Sequence, residues 1–408
     1  MKRPNILFLF TDQQRFDTIQ ALHSSFQAST PHMDELVNGG VVFENCFCTA
    51  PISSPSRSTL VTGLMPSEAG MAGNLYAPSA PLSPAIRGIG HHMRAGGYQT
   101  VYHGKWHLGG DIQAHGFEIA EESSHDESTR LMASRFWRDR DWMEHDRPFF
   151  HMVSYLNPHD LYFYDPDKAS DRTRPWKNLG RPAEDYPPAS KSKRVDWPEQ
   201  RWGAMTEFYE QLIERVDGEI GELLNDFLCS GFYNDSWIIF AADHGDMCGE
   251  QNIPFKGSFM YEGVVNVPLI IIPPQTRFLG EDRANSFEHN LKPGKRDQLC
   301  SLIDIPPTIL DIAGLEKPDH WQGQSLLPLV KDASAPAPHE TVFAGWSQPE
   351  IRMARSKDWK YVWYEDGAEE FFHLAEDPHE TRNLANNAAC AEIKSELKSQ
   401  INFSGLKI

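Results

Sequence analysis

No stretch of this chain is apolar for long enough to cross a membrane, which takes roughly 18–20 such residues in helical form. Positive charge is in short supply: 38 Lys and Arg against 57 Asp and Glu leave a net charge of -19. An acid surface of that size argues against nucleic acid or an anionic membrane as partner. Any anionic substrate must then be drawn by a local cationic pocket. Cysteine is sparse and scattered at Cys46, Cys48, Cys229, Cys248, Cys300 and Cys390, with no CxxC pair. Cys46-Phe47-Cys48 reads as buried thiols rather than a metal or redox pair. Internal repeats are absent. So is a secretory apolar region, since Met1-Lys2-Arg3-Pro4 runs straight into a strand. The chain reads as cytoplasmic, or as periplasmic or secreted if a leader was removed.

What is present is an alternation of buried strands and amphipathic helices. Asn5 to Thr11 (NILFLFT) is a continuous apolar run, as expected of a central parallel strand. Further strands are predicted at Val41–Phe43, Tyr98–Tyr102, Phe149–Leu156, Trp237–Ala242 and Val267–Ile272. Helices are predicted from Thr30-Pro31 to Val37, over 84–94, and over 205–227, where ten apolar residues keep the three-and-four spacing of one buried face. This pattern predicts an α/β fold, a mainly parallel sheet with helices on both faces, occupying residues 1–335. From Thr341 short strands follow one another (341–344, 351–355, 360–364 and 370–373), with Asp366-Gly367 as a hairpin turn and a helix near 391–397. They predict a small antiparallel C-terminal subdomain over 336–408. The Pro-rich, charged stretch between Asp165 and Trp202 is long enough to be a functional loop.

Chemistry is concentrated in CTAPISSPSRSTLVTG, Cys48 to Gly63. Ser56 is expected to cap a helix running to Gly63, with that helix's free amides facing Ser53 and Arg57 beside it. A hydroxyl at a helix start next to a guanidinium suits chemistry on an anion. In parallel sheets ligands gather at the carboxyl ends of strands. Asp12-Gln13, Lys105-Trp106-His107, Asn157-Pro158-His159 and Asp243-His244 all follow predicted strands, and Lys256 lies thirteen residues past Asp243.

Ser53-x-Pro55-Ser56-Arg57 with Thr62-Gly63 resembles the signature of the type I sulfatases, Cys/Ser-x-Pro-Ser-Arg with Thr-Gly further on. The resemblance extends through Asp12-Gln13, Gly104-Lys105-Trp106-His107, Pro158-His159, Asp243-His244-Gly245 and Lys256, in family order, over nearly the whole chain. It implies an alkaline-phosphatase-like fold and hydrolysis of a sulfate ester of a sugar or aryl alcohol. The residue at 53 would be oxidised to formylglycine by a maturase. It further implies a divalent cation, Ca2+ with Mn2+ or Mg2+ as alternatives, on Asp12, Gln13, Ser53, Asp243 and His244. Arg57, Lys105 and Lys256 would hold the sulfate, His107 would orient or deprotonate the formylglycine hydrate, and His159 would protonate the leaving alcohol. Serine instead of the more frequent cysteine at 53 leaves three readings open: a serine oxidised in place, a replacement that traps substrate, or a chain without turnover. The Asp-Gln and Asp-His pairs also occur in choline-sulfatase and phosphonate-monoester-hydrolase branches, so a phosphodiesterase or phosphonate monoesterase is the rival activity.

Overall fold

The computed structural model describes residues 3–22, 24–75, 80–139, 147–164, 194–274, 291 and 293–403. Most of the loop between Asp165 and Trp202 lies outside them. The larger sheet is built from β1 (Asn5–Asp12), β2 (Val41–Phe47), β3 (Gln99–Gly104), β4 (Ile119–Glu122), β5 (Phe149–Pro158), β6 (Ser236–Ala242), β7 (Leu269–Ile272) and β8 (Gly294–Ser301). Its spatial order is β4-β3-β5-β1-β6-β7-β2-β8. All pairings are parallel except those of β7, which runs antiparallel to both β6 and β2. Pro268 stands just before β7, and the strand begins at Leu269 rather than at Val267 as expected.

Helices cover both faces because β1 is apolar on both. Ile6, Phe8 and Phe10 share a core with Leu60 of α2 (Ser53–Thr62), Met93 of α3 (Ile89–Ala95) and Ile309 of a helix at Ile305–Ile312. Leu7 and Leu9 point the other way, toward Met33 of α1 (Pro31–Gly39), Phe136 of α4 (Asp126–Arg138) and Ile220 of α5 (Glu199–Cys229). This alternation is the period-2 geometry of a strand acting on a continuous apolar run.

Two helix starts differ from expectation. The helix expected over 84–94 begins only at Ile89, because Gly88 before it is extended, at φ -96° and ψ -164°, with its backbone against the Val61 carbonyl. Ser56 is not a cap: α2 starts three residues earlier, at Ser53, with Ile52 in the extended N-cap position. The Ser56 hydroxyl donates instead to the Asp243 carbonyl at 2.5 Å.

A separate antiparallel sheet, β9 (Thr341–Ser347), β10 (Glu350–Ser356), β11 (Trp359–Tyr364) and β12 (Glu369–His373), follows. One face packs into the main core through Val342, Ala344, Ile351, Met353 and Val362. The other takes Leu397 and Ile401 of the closing helix, Ala391–Phe403. Asp366-Gly367 is the turn expected between β11 and β12, with Gly367 at φ 85°. Among the described residues no helix is long and apolar enough to cross a membrane.

Candidate active site

The carboxyl ends of β1, β3, β5 and β6 deliver five of the expected side chains to one place, and α2 delivers two more. Asp12 is the last residue of β1, Lys105 follows β3, His159 follows β5, and Asp243 with His244 follow β6. Ser53 occupies the first turn of α2 and is completely buried. Its hydroxyl lies 3.1 Å from His244 Nε2, 3.1 Å from Lys256 Nζ and 3.5 Å from Asp12 Oδ1. The residue at the predicted nucleophile position is therefore in contact with a carboxylate, an imidazole and an ammonium at once.

Ligand atoms of Asp12, Asp243 and His244 lie within 4.8 Å of one another, and all three residues are buried. His244 Nδ1 is 2.9 Å from the Gly245 carbonyl, which accepts its proton and fixes the tautomer. The Nε2 lone pair then faces Asp12 and Ser53. Burial, followed by the nearby Lys256 charge, holds His244 well below the usual histidine range, so the ring is neutral. Gln13 is buried at a positive φ of 70°. Its Nε2 donates to Asp246 Oδ2 at 2.7 Å, which leaves Oε1 a buried acceptor without a partner among the described residues. Two carboxylates, an imidazole lone pair and an orphaned amide oxygen are a donor set for a divalent cation. Of this set Gln13 Oε1 lacks a donor among the described residues, and a buried acceptor left so is costly, so a cation fits here on physical grounds.

Three cations face these acceptors. Arg57, 1% exposed, bridges both carboxylates, with Nε 2.8 Å from Asp243 Oδ2 and a terminal nitrogen 2.8 Å from Asp12 Oδ2. Its other terminal nitrogen donates to the Lys105 carbonyl and to Ser154 Oγ. Lys105 Nζ is 2.7 Å from Asp12 Oδ2, and Lys256 Nζ is 2.9 Å from His244 Nε2. Burial raises the Asp12 carboxyl, but Lys105, Lys256 and Arg57 outweigh it and hold the group well below the carboxylate range. Asp243 goes the other way: burial and then the Asp12 charge push it up to about 7. Burial lowers Lys256 to about 8, against the pull of Asp12. A site with these charges is anion-seeking even though the whole protein is acidic.

His107 and His159 border the same charges. His107 sits at φ 57°, and its carbonyl accepts from Ser54 Oγ at 2.6 Å, which anchors the Lys105–His107 segment to α2. Burial first, then Lys105 and Arg57, lower His107 to about 3. His159 is also held at about 3, by burial and by Lys105 and Lys256 against the opposing pull of Asp12. Held that low, both rings are neutral in the free site.

Sequence reasoning passed over several supporting residues. Asp246 accepts from Gln13 Nε2 and from the Lys256 backbone amide, so it fixes a ligand and a cation together. Its position in Asp243-His244-Gly245-Asp246 was the available signal. Asp126 accepts from the backbone amides of Leu156 and Asn157 and from Asn157 Nδ2, and so holds the turn that carries His159. Nothing in the local sequence ties Asp126 to that turn.

A buried carboxylate–imidazole centre beside a cation-lined hydroxyl, at the carboxyl edge of an α/β sheet, suits ester hydrolysis on a tetrahedral anion. The sulfatase family model matches residues 4–315, and the chain belongs to the sulfatase family. A second model, the C-terminal region of N-sulphoglucosamine sulphohydrolase, matches 249–405. The choline-sulfatase of Rhizobium meliloti (strain 1021) is 27% identical, covering 94% of this chain and 83% of its own length. A solved structure described as bound to its substrate D-glucosamine-2-N,6-O-disulfate superposes with a TM-score of 0.85 at 22% identity, over 99% of this chain and 97% of the other. The phosphonate monoester hydrolase of Agrobacterium radiobacter shares the fold at a TM-score of 0.75 and 20% identity, over 98% and 96%. The chain is a sulfuric ester hydrolase by family.

Proposed function

We propose that this chain hydrolyses the sulfate ester of a carbohydrate to the alcohol and inorganic sulfate, with residue 53 acting as formylglycine. The observation that carries this reading is the contact of Ser53 Oγ with both Lys256 and His244, beside Asp12. Oxidation of Ser53 to the aldehyde removes two electrons and two protons, so it requires a maturase with an electron acceptor. The aldehyde's hydrate would supply one hydroxyl to attack sulfur and a second to expel the sulfate afterwards.

Asp12, Gln13, Asp243 and His244, with residue 53 itself, would hold the divalent cation. Calcium suits the oxygen donors, while the imidazole leaves manganese or magnesium open. Bound there, the cation would act as a Lewis acid on the sulfate oxygens. Lys105 and Lys256 neutralise charge that builds on those oxygens, and Arg57 holds the two carboxylates in position. His107, neutral in the free site, can accept the proton of the second hydroxyl. His159 can donate to the leaving oxygen once the bound sulfate has raised its proton affinity. The carbohydrate preference draws on the substrate named for the disulfated-glucosamine neighbour.

A second reading rests on the serine. An unmodified Ser53 would form a sulfoserine with no second hydroxyl to release it, so the chain would bind sulfated ligands without turnover. The fold shared with a phosphonate monoester hydrolase supports the rival activity on phosphorus. Rates on the sulfate and phosphate monoesters and the phosphonate of one aryl alcohol, with the mass of residue 53 measured on the same sample, separate these cases. The proposed function requires the aldehyde mass and faster sulfate release. Faster phosphorus chemistry, or a serine mass with no turnover, would overturn it.

A further inference from the structure

We propose that Tyr162, backed by Phe255, is the platform on which the ring of the leaving alcohol stacks, and that this alcohol is an uncharged sugar. The inference deepens the sulfate-ester reading above and rests on it. Tyr162 lies in the short 3-10 turn His159–Phe163 that follows β5. Its ring centroid is 5.2 Å from that of His159, the residue assigned to the leaving oxygen. On another side it stacks on Phe255 at 4.8 Å and 28°. Lys256, next in the chain, places Nζ 5.7 Å from the Tyr162 centroid. Tyr162 therefore borders both groups between which the ester oxygen must leave.

Two ring neighbours and a cation have not covered it: Tyr162 remains 43% exposed and the adjacent Phe163 77% exposed. Among the described residues only Leu131 and Ile393 are other large apolar side chains left so open. An open aromatic beside a reacting centre is a surface for an apolar face. The C–H face of a pyranose supplies one without charge. Charge decides against the alternatives. A quaternary ammonium seated on Tyr162 would meet the Lys256 ammonium already over that ring, a like-charge contact that outweighs the attraction of the ring face. A polyanionic chain running on past the cationic pocket would meet the surface of a protein whose net charge is -19.

Calorimetric titration of the full chain with sodium sulfate, glucose 6-sulfate and choline O-sulfate tests this, comparing wild type with Tyr162→Ala and Tyr162→Phe. Tyr162→Ala should weaken glucose 6-sulfate about tenfold, in line with the usual worth of a ring contact. It should leave sulfate and choline O-sulfate within twofold, and Tyr162→Phe should match wild type for all three. An unchanged glucose 6-sulfate affinity in Tyr162→Ala overturns the platform. So does a parallel loss of all three ligands, which would mark a structural role. A selective loss of choline O-sulfate overturns the uncharged alcohol. If sulfate binds wild type but glucose 6-sulfate binds no more tightly, the platform alone falls. If none of the three binds, the sulfate-ester reading falls and the platform with it.

Discussion

Arg57 shows how much one side chain carries in this site. It is buried and joins Asp12, Asp243, Ser154 and the Lys105 backbone. Removing one member of a buried ion pair strands its partner, at roughly 3–5 kcal/mol. In metal-free protein Arg57→Ala should therefore lower stability by about that amount, as read from the urea midpoint, because two carboxylates lose their shared cation. Lys256 differs, since its ammonium faces Ser53 and His244 from a loop, and burial already disfavours its charged form, lowering it to about 8. Lys256→Ala should retain the urea midpoint to within about 1 kcal/mol. It should lose roughly a hundred- to a thousand-fold in kcat, the usual cost of one preorganised charge donor. Steady-state turnover of a sulfate ester checks it.

At the scale of elements, strand ends set the site's dimensions. Gly104 closes β3 at φ 102°, and an added Cβ would lie 2.0 Å from the Ser154 carbonyl on β5. Gly104→Ala must push β3 and β5 apart at the point that delivers Lys105 and holds Ser154 against Arg57. Losses of several kcal/mol and little active protein are expected, measured by thermal unfolding and turnover, because overpacking and left-handed strain add. The C-terminal sheet is clamped to its helix by Glu369, which accepts from Lys394, Lys398 and Tyr361. Burial alone would raise Glu369, but the hydrogen bonds from Lys398, Lys394 and Tyr361 outweigh it and hold it at about 2, against 4.5 when unperturbed. A carboxyl with a depressed pKa stabilises the fold above the unfolded value, and that stability drains away as pH falls from 4.5 toward 2. Glu369→Gln should flatten this part of the stability-against-pH curve, followed by urea midpoints at stepped pH.

Across the whole molecule, legibility followed the physics of burial. β1, β5 and β6 stood out because a central strand covered on both faces must be apolar throughout, and α5 because its buried face repeats over a long helix. β8 did not: its run GKRDQLCS forms an edge strand in which Lys295 and Asp297 face solvent and Arg296 is buried, its Nε donating to the Leu329 carbonyl, so no apolar period marks it. β7 was visible as a strand, but its antiparallel direction is set by the pairing and leaves no trace in local composition. Asp12, Lys105, His159, Asp243 and His244 were legible because each stands at the end of a strand in one sheet, and strand ends in such a sheet converge. Asp126 was not, since it acts through backbone amides of Leu156 and Asn157, some thirty residues along the chain. Ser56 misled because a hydroxyl before a helix-like run also suits a tertiary bond, here to the Asp243 carbonyl.

Release of inorganic sulfate from glucose 6-sulfate, followed by ion chromatography with and without a chelator, tests the central claim most directly. Protein carrying the aldehyde at residue 53 should release sulfate in many turnovers, lose that activity to the chelator, and recover it with calcium or manganese. Protein with the aldehyde and a saturated cation site that released no sulfate, yet cleaved the matching phosphate ester, would contradict the account.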